Sequence, residues 1–357
     1  MMSSKSAGAP RGTVRLSAII PNYNHGAVIG EAVRALAEQS QPPDEIIIID
    51  DGSTDDSVAI IENLRHSYPA VRLVPLEKNG GAIAALNRGL VEARGEFIYM
   101  GAADDVVLPG LFENLLPLLE AYPSAALSCC ECLVHDIDTN RYALRPPVNP
   151  SEHTTYLTPA AVADVTRSAE NWIISNAAVA RRRLMLEAGC FDPRLTSFAD
   201  GFMFRQLAFE HGCCFVPKPG AVWRVTSKGY SRREAANVEN SLKSLSVALE
   251  RMRASKAFPL WYPDVFARRW RFSIGRVAAI AEPMNATVLD QLARGLISRS
   301  ILRASARLGG PIGRTAALIW LTVQDRPISL TGMTRTWLSR RFRNRFSTGQ
   351  QSVAGSS

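Results

Sequence analysis

The sequence predicts an α/β chain, a doubly wound and mostly parallel sheet with helices on both faces, followed by a helical C-terminal extension. Three observations carry this reading. Residues 45–49 read Glu-Ile-Ile-Ile-Ile, a bare β-branched run of the kind found in strands buried on both faces of a parallel sheet. Up to residue 121, strand-like and helix-like segments alternate with short connections, the pattern of successive βα units. From about Glu234 onward the pattern is helical and increasingly rich in arginine.

The elements follow in order. Residues 14–20 form a short apolar strand stopped by the turn cluster Pro21-Asn22-Tyr23-Asn24. Ile29, Val33, Leu36 and Ala37 recur at helical spacing over 29–39, and Pro42-Pro43 closes that helix. After the strand at 45–49, the Ser, Thr and Asp residues of Asp50-Asp51-Gly52-Ser53-Thr54-Asp55-Asp56 can cap a helix over 57–67. A strand at 71–75, a helix over 82–94 ended by Gly95, and a strand at 97–100 come next, then a helix over 110–121 opened by Pro109. Residues 125–136 read as a further strand, and 137–170 as irregular because of Pro146, Pro147, Pro150 and Pro159. Helices are expected over 181–188 and 201–210, and two late strands over 213–217 and 221–225. The predicted organisation is a disordered arm at 1–12, an α/β domain at 13–230, a basic helical region at 231–346 and a disordered tail at 347–357.

Composition narrows the class. The chain of 357 residues is 46% hydrophobic and 21% charged, as in ordinary globular proteins. No stretch approaches the ~20 apolar residues that a membrane-spanning helix needs, and no secretory signal is expected from the first residues. The net charge of +8 is unevenly spread: residues 251–357 hold 18 Lys and Arg against four acids, so the rest of the chain is net acidic. Cys129 and Cys132 have CxxC spacing and Cys213-Cys214 form a pair, so zinc is one reading. Both clusters lie in apolar, strand-like runs, which favours buried structural thiols in a reduced, cytoplasmic chain.

The chemistry-bearing residues sit where strands end. There is no G-x-x-x-x-G-K-[ST] loop and no G-x-G-x-x-G after the first strand, which disfavours P-loop nucleotidases and nicotinamide dehydrogenases. Carboxylates occupy these positions instead: Asp50, Asp51, Asp104 and Asp105. Such groups suit hard cations that hold a diphosphate, and ligands of doubly wound sheets bind at the carboxyl ends of strands. Helix capping is the competing reading. It accounts for Asp55 and Asp56, and for at most one member of each doublet.

These residues carry a resemblance. Leu16-Ser17-Ala18-Ile19-Ile20-Pro21-Asn22-Tyr23-Asn24, the segment from Glu45 to Asp55, Asn79-Gly80-Gly81, Asn87-Arg88-Gly89, Ala93-Arg94-Gly95-Glu96-Phe97-Ile98 and Asp104-Asp105 follow the order and spacing of family 2 glycosyltransferases. The resemblance covers roughly residues 14–225. It implies a GT-A fold and inverting transfer of a sugar from a nucleotide-activated donor. By the same resemblance, Pro21 and Tyr23 would line the base and ribose, Asn24 would belong to the donor-binding loop, Asp51 would accept from the base N–H, and Asn79 and Gly81 would approach the donor. A UDP-sugar fits that pairing, and other nucleotides stay open. Asp104 and Asp105 match the metal motif, with Ala102 where the family commonly has its first Asp, so the implied cofactor is Mg²⁺ or Mn²⁺. Phe191-Asp192-Pro193-Arg194-Leu195 and Ala199-Asp200-Gly201-Phe202 match the segment that supplies the base, which makes Asp200 the candidate catalytic residue, with a helix cap as its alternative. Arg224 would face the diphosphate or pair with a carboxylate, and Thr226 stands where many members have His.

The implied acceptor is a glycan or lipid-linked hydroxyl in cell-surface polysaccharide synthesis. In the basic region, Trp261, Tyr262, Phe266, Trp270 and Phe272 interleave with Arg268, Arg269 and Arg271, and Trp337, Phe342 and Phe346 with Arg335, Arg340, Arg341, Arg343 and Arg345. Three readings stay open for residues 251–346: a cap buried on the body, a peripheral contact with an anionic membrane on its inner face, and a nucleic-acid surface, the least favoured. Two further functions compete with the enzyme, a nucleotide-sugar binder that has lost catalysis and a nucleic-acid-binding protein.

Overall fold

A computed structural model describes residues 14–227 and 229–327. The arm at 1–12, the tail at 347–357 and the Arg and aromatic residues from Arg335 to Phe346 lie outside the described residues.

The first half alternates as expected: β1 (Leu16–Asn22), α1 (Gly26–Ala37), β2 (Glu45–Asp50), α2 (Ser57–Ser67), β3 (Val71–Pro75), α3 (Ala82–Glu92) and β4 (Phe97–Met100). A two-residue strand, β5 (Val106–Val107), then precedes α4 (Leu111–Ala121). β1 pairs in parallel with β2 and β4, and β2 in parallel with β3. Every residue of β2 is buried. The reason is visible in the alternation of side chains. Ile47 and Ile49 point into one core with α3, while Ile46 and Ile48 point into the other with α1 and α2. The sheet therefore has helices on both faces.

The second half is more mixed. It runs through β6 (Leu127–Asp136), β7 (Arg141–Arg145), β8 (Thr155–Leu157), α5 (Pro159–Ser168), β9 (Ala178–Arg181), α6 (Arg182–Glu187), α7 (Ala199–His211) and β10 (Cys213–Val225). The strand order is β3-β2-β1-β4-β9-β6-β10-β5, with β7 on β6 and β8 on β10. β9 is antiparallel to both its neighbours, whereas β6 and β10 run parallel over ten residue pairs. Two expectations need correction. Residues 137–170 are not irregular, because β7, β8 and α5 lie there, with Pro159 at the first turn of α5, where a missing N–H costs nothing. The two late strands are a single strand, β10, whose register shifts around Pro219 absorb the break that the prolines suggested.

Cys129 and Cys213 face one core, and Cys130, Cys132 and Cys214 the other. Strand alternation thus sends Cys129 and Cys132 to opposite faces of the sheet, so this CxxC cannot converge on one ion.

The C-terminal region is helical: α8 (Tyr230–Ala236), α9 (Val238–Ala254), α10 (Tyr262–Ile280), α11 (Ala286–Leu292), α12 (Gly295–Leu308) and α13 (Gly310–Asp325). The main core continues into it. Leu245 and Met252 of α9 and Tyr262 and Phe266 of α10 pack with Phe198, Phe202 and Phe209. Phe198 lies 4.6 Å from Trp270 and Phe209 lies 4.8 Å from Tyr262, ring centre to ring centre. The aromatics of α10 are thus largely inside, not on a surface. A smaller core joins the far end of α10 to α11, α12 and α13 through Ile274, Leu289, Leu302 and Leu321.

One glycine of the family-like motifs has a packing reason. A Cβ on Gly89 of α3 would stand 2.3 Å from Ile19 Cγ2 of β1. Gly89→Ala should therefore lower unfolding stability by about 1–3 kcal/mol, the usual cost of overpacking, as measured by urea denaturation.

Candidate donor and transfer site

Loops after β1, β2, β3 and β4, the turn before β9 and the start of α7 make up this site. Asn22 closes β1 opposite Asp50, the last residue of β2. Asn22 Nδ2 donates to Asp50 Oδ2 at 2.8 Å, and Ser53 donates to Asp50 through its amide (2.9 Å) and hydroxyl (2.7 Å). Asp50 is thereby consumed in shaping the turn. Gly52 in that turn has φ +74°, and a Cβ there would lie 3.1 Å from the backbone at Lys78 and Asn79. Asn24, itself at φ +55°, accepts from the Thr54 amide at 2.7 Å and so ties the first loop to the second.

Asp51 is 2% exposed, and its two oxygens accept the amides of Gly80 and Gly81, each at 2.8 Å. The carboxylate clamps the loop that opens α3. Each oxygen keeps a second lone pair for a ligand. Gly81 has φ +89°, and its amide also reaches Asn79 Oδ1 at 3.1 Å. Tyr23 presents an exposed ring beside this loop pair, while Pro21 is part-buried.

The doublet after β4 divides its labour. Asp104 is part-exposed, and its carboxylate has no hydrogen bond or ion pair among the described residues. Asp105 is buried, accepting from Asn176 Nδ2 at 2.7 Å and from the Arg224 amide at 2.9 Å. Burial, with the neighbouring Asp104 charge, pushes the Asp105 carboxyl up to about 7. Asp105, expected as a second metal carboxylate, is 7% exposed and accepts one protein donor on each oxygen, so in this structure it braces the loop. Asp104 is the member of the doublet that stands open to a cation. One carboxylate fits a Mg²⁺ or Mn²⁺ ion that takes its other ligands from a diphosphate and water. Among the described residues, no group of three or more His, Cys, Asp or Glu is arranged to hold a metal without such help.

Asp200 lies in the first turn of α7, which begins at Ala199, so it is not that helix's cap. Its Oδ2 accepts from Ser175 Oγ at 2.6 Å. Ser175 and Asn176 are consecutive in a short turn before β9, and they bridge the site. Ser175 holds Asp200 while Asn176 holds Asp105 beside Asp104. The turn leading into α7 is braced from below. Asp192 accepts from Arg194 and Arg251, which hold its carboxyl down at about 2. Thr196 at φ +48° contacts Ser244 of α9 at 3.1 Å.

Arg224 makes a two-pronged ion pair with Glu31 of α1, at 2.7 and 2.5 Å. Of the two roles expected for it, pairing with a carboxylate is the one seen here. Glu31, Ser175 and Asn176 carry no mark in the sequence that singles them out, and nothing in it shows that Asn22 fixes Asp50.

The model of glycosyl transferase family 2 matches residues 17–187. The uncharacterized protein MT1568 of Mycobacterium tuberculosis is 31% identical over 240 residues, which are 64% of this chain and 72% of that protein. The chain belongs to glycosyl transferase family 2. The uncharacterized Escherichia coli glycosyltransferase YibD is 42% identical over 106 residues, a match spanning only 30% of each protein. Among solved structures, Staphylococcus aureus TarS 1-349 in complex with UDP-GlcNAc superposes with a TM-score of 0.61 at 16% identity, over 88% of this chain and 93% of that one. The mannosyltransferase PcManGT of Pyrobaculum calidifontis, in complex with GDP-Man and Mn²⁺, gives a TM-score of 0.55 at 22% identity, over 90% and 89%. At these identities the likeness establishes the fold, the GT-A glycosyltransferase fold.

Proposed function

We propose that this family 2 glycosyltransferase moves a sugar, with inversion, from a UDP-linked donor to a hydroxyl of a glycan or lipid-linked acceptor in cell-surface polysaccharide synthesis. The observation that carries the reading is the Ser175-Asn176 bridge. It joins a carboxylate suited to proton abstraction, Asp200, to the loop that presents the free carboxylate of Asp104.

The residues divide the work as follows. Tyr23 stacks on the base, with Pro21 and Asn24 shaping the loop, and Asp51 uses its spare lone pairs toward the base N–H. Asn79 and Gly81 approach the donor from the loop that Asp51 holds. Asp104 would hold the divalent cation, which when bound neutralises charge developing on the leaving diphosphate. Asp105 keeps that loop in place. Asp200 accepts the proton of the acceptor hydroxyl as its oxygen attacks the anomeric carbon, and Ser175 fixes the rotamer that lets it do so. Arg224 reaches the diphosphate only by leaving Glu31. The UDP-GlcNAc held by TarS supports a uridine donor, and the Mn²⁺ bound with GDP-Man in PcManGT supports the cation.

Calorimetric titration with UDP tests the donor half of this reading. Mn²⁺ should tighten binding by about tenfold, equivalent to ~1.4 kcal/mol. Asp104→Asn should abolish that increment and leave metal-free binding unchanged. An increment that survives in Asp104→Asn would remove Asp104 as the metal-holding residue.

A further inference from the structure

A second functional surface lies on the helical region. Arg253 of α9, Arg268 and Arg271 of α10, and Arg294 before α12 line an open groove of about 450 Å³, with Asp264 at its rim. The acids nearby do not balance them. Asp264 lies 3.7 Å from Arg253, and the fully buried Asp325 lies 3.3 Å from Arg294. Arg268 and Arg271 hold no hydrogen bond or close ion pair among the described residues, and the single buried carboxylate of Asp325 is shared electrostatically among Arg294, Arg271 and Arg268, so four guanidiniums face two acids. Two guanidinium charges are therefore surplus in a groove large enough for a small anionic group.

Close in the chain to Arg294, exposed aliphatic side chains follow: Leu296 and Ile297, in the first turn of α12, are 79% and 73% exposed, and Val323, next to the Gln324 that holds the Arg294 amide, is 53% exposed. These residues are held at one end of the α12–α13 hairpin by Gln324, whose Oε1 accepts from the Arg294 amide at 3.0 Å and from Ser298 Oγ. Leu308, Ile312 and Ile319 extend the exposed apolar surface along the same hairpin. Large aliphatic side chains exposed beside unpaired arginines are the composition of an interfacial membrane contact. A single-stranded nucleic acid would need exposed aromatic platforms, and here Phe266 is buried while Trp261 and Trp270 pack against the main core.

We propose that this groove seats the phosphate of an anionic lipid headgroup while Leu296, Ile297 and Val323 enter the acyl boundary. The inference stands apart from the sugar-transfer reading and survives if that reading fails.

Sedimentation of the full chain with vesicles tests it. The chain should bind phosphatidylcholine vesicles containing phosphatidylglycerol and should not bind phosphatidylcholine alone. Each arginine near an anionic surface contributes enough that losing two, as in Arg268→Ser with Arg271→Ser, should weaken binding about 30-fold. Leu296→Ser with Ile297→Ser should also weaken it, without any change of charge. Both double variants should keep the melting temperature and UDP affinity of the parent chain, which separates a lost surface from a lost fold. Binding unaffected by either pair of substitutions would overturn the proposal. So would equal binding to both vesicle types, or arginine-dependent binding to single-stranded RNA with no binding to vesicles.

Discussion

Asp200→Asn is expected to reduce sugar transfer by about 10²–10⁴-fold, the range that a positioned general base contributes. The substitution is nearly isosteric: the side-chain carbonyl oxygen can still accept from Ser175 Oγ, which stands 2.6 Å from Asp200 Oδ2, while the local contact of Oδ1 with the Gly201 amide at 2.6 Å is given up. What is lost is the ability to take a proton from the acceptor. Donor affinity should stay within about twofold, since Asp200 lies on α7 and the donor-facing groups lie on the loops after β1, β2, β3 and β4. Steady-state transfer kinetics together with UDP titration separate these effects. Ser175→Ala should give a smaller loss of turnover with the carboxylate intact, as befits a positioning residue.

The second large effect falls on stability. Glu170 is encased by Arg205 Nε at 3.1 Å, Tyr262 Oη at 2.7 Å and the guanidinium of Arg269. Arg205 also donates to the carbonyl of Gly201 at 2.7 Å, one residue past Asp200. Glu170→Leu leaves the buried Arg205 and the part-buried Arg269 without their counter-charge and should cost about 3 kcal/mol of unfolding free energy, measured by urea denaturation. Converting Arg205 and Arg269 to Met in the same chain should recover part of that loss, because the penalty comes from the stranded cations. The pH dependence has a definite sign. Burial raises the Glu170 carboxyl, but Arg205 and Arg269 outweigh it, and the net effect is a lowered pKa. Its stabilising contribution is therefore fully present above the ordinary glutamate value of 4.5 and disappears as the pH falls through the lower folded value.

Local pattern made the first four strands legible. In β2 a run of isoleucines can only be a strand covered on both faces, and the carboxylates that follow it necessarily come to the ligand edge of the sheet. The later half resisted because its strands depend on distant partners. β7 exists through pairing with β6, and β8 through pairing with β10, so the prolines of 137–170 outweighed weak local signals. The same limit applied to the site. Asp51, Asp104 and Asp200 stand out by motif. The different fates of Asp104 and Asp105 could not be read, because adjacent residues on an irregular loop point by tertiary contact, here Asn176 and the Arg224 amide. Ser175 and Asn176 sit in an apolar stretch with no sequence mark of their own. Of the three readings open for the basic region, the buried cap matches α10, whose aromatics are packed largely into the main core. Among the described residues from α9 onward, the exposed large apolar side chains are aliphatic: Leu260, Ile280 and residues of α12 and α13.

If the proposed function holds, this sheet edge breaks the bond between a nucleotide and its sugar. Release of nucleoside diphosphate, followed over a panel of UDP- and GDP-sugars with lipid-linked glycan acceptors and with or without Mn²⁺, tests it most directly. Mn²⁺-dependent release is expected from at least one UDP-sugar, lost in Asp104→Asn and reduced by about 10²–10⁴-fold in Asp200→Asn. Donor binding by the parent chain with no release from any sugar would contradict it, and would make the protein a nucleotide-sugar binder.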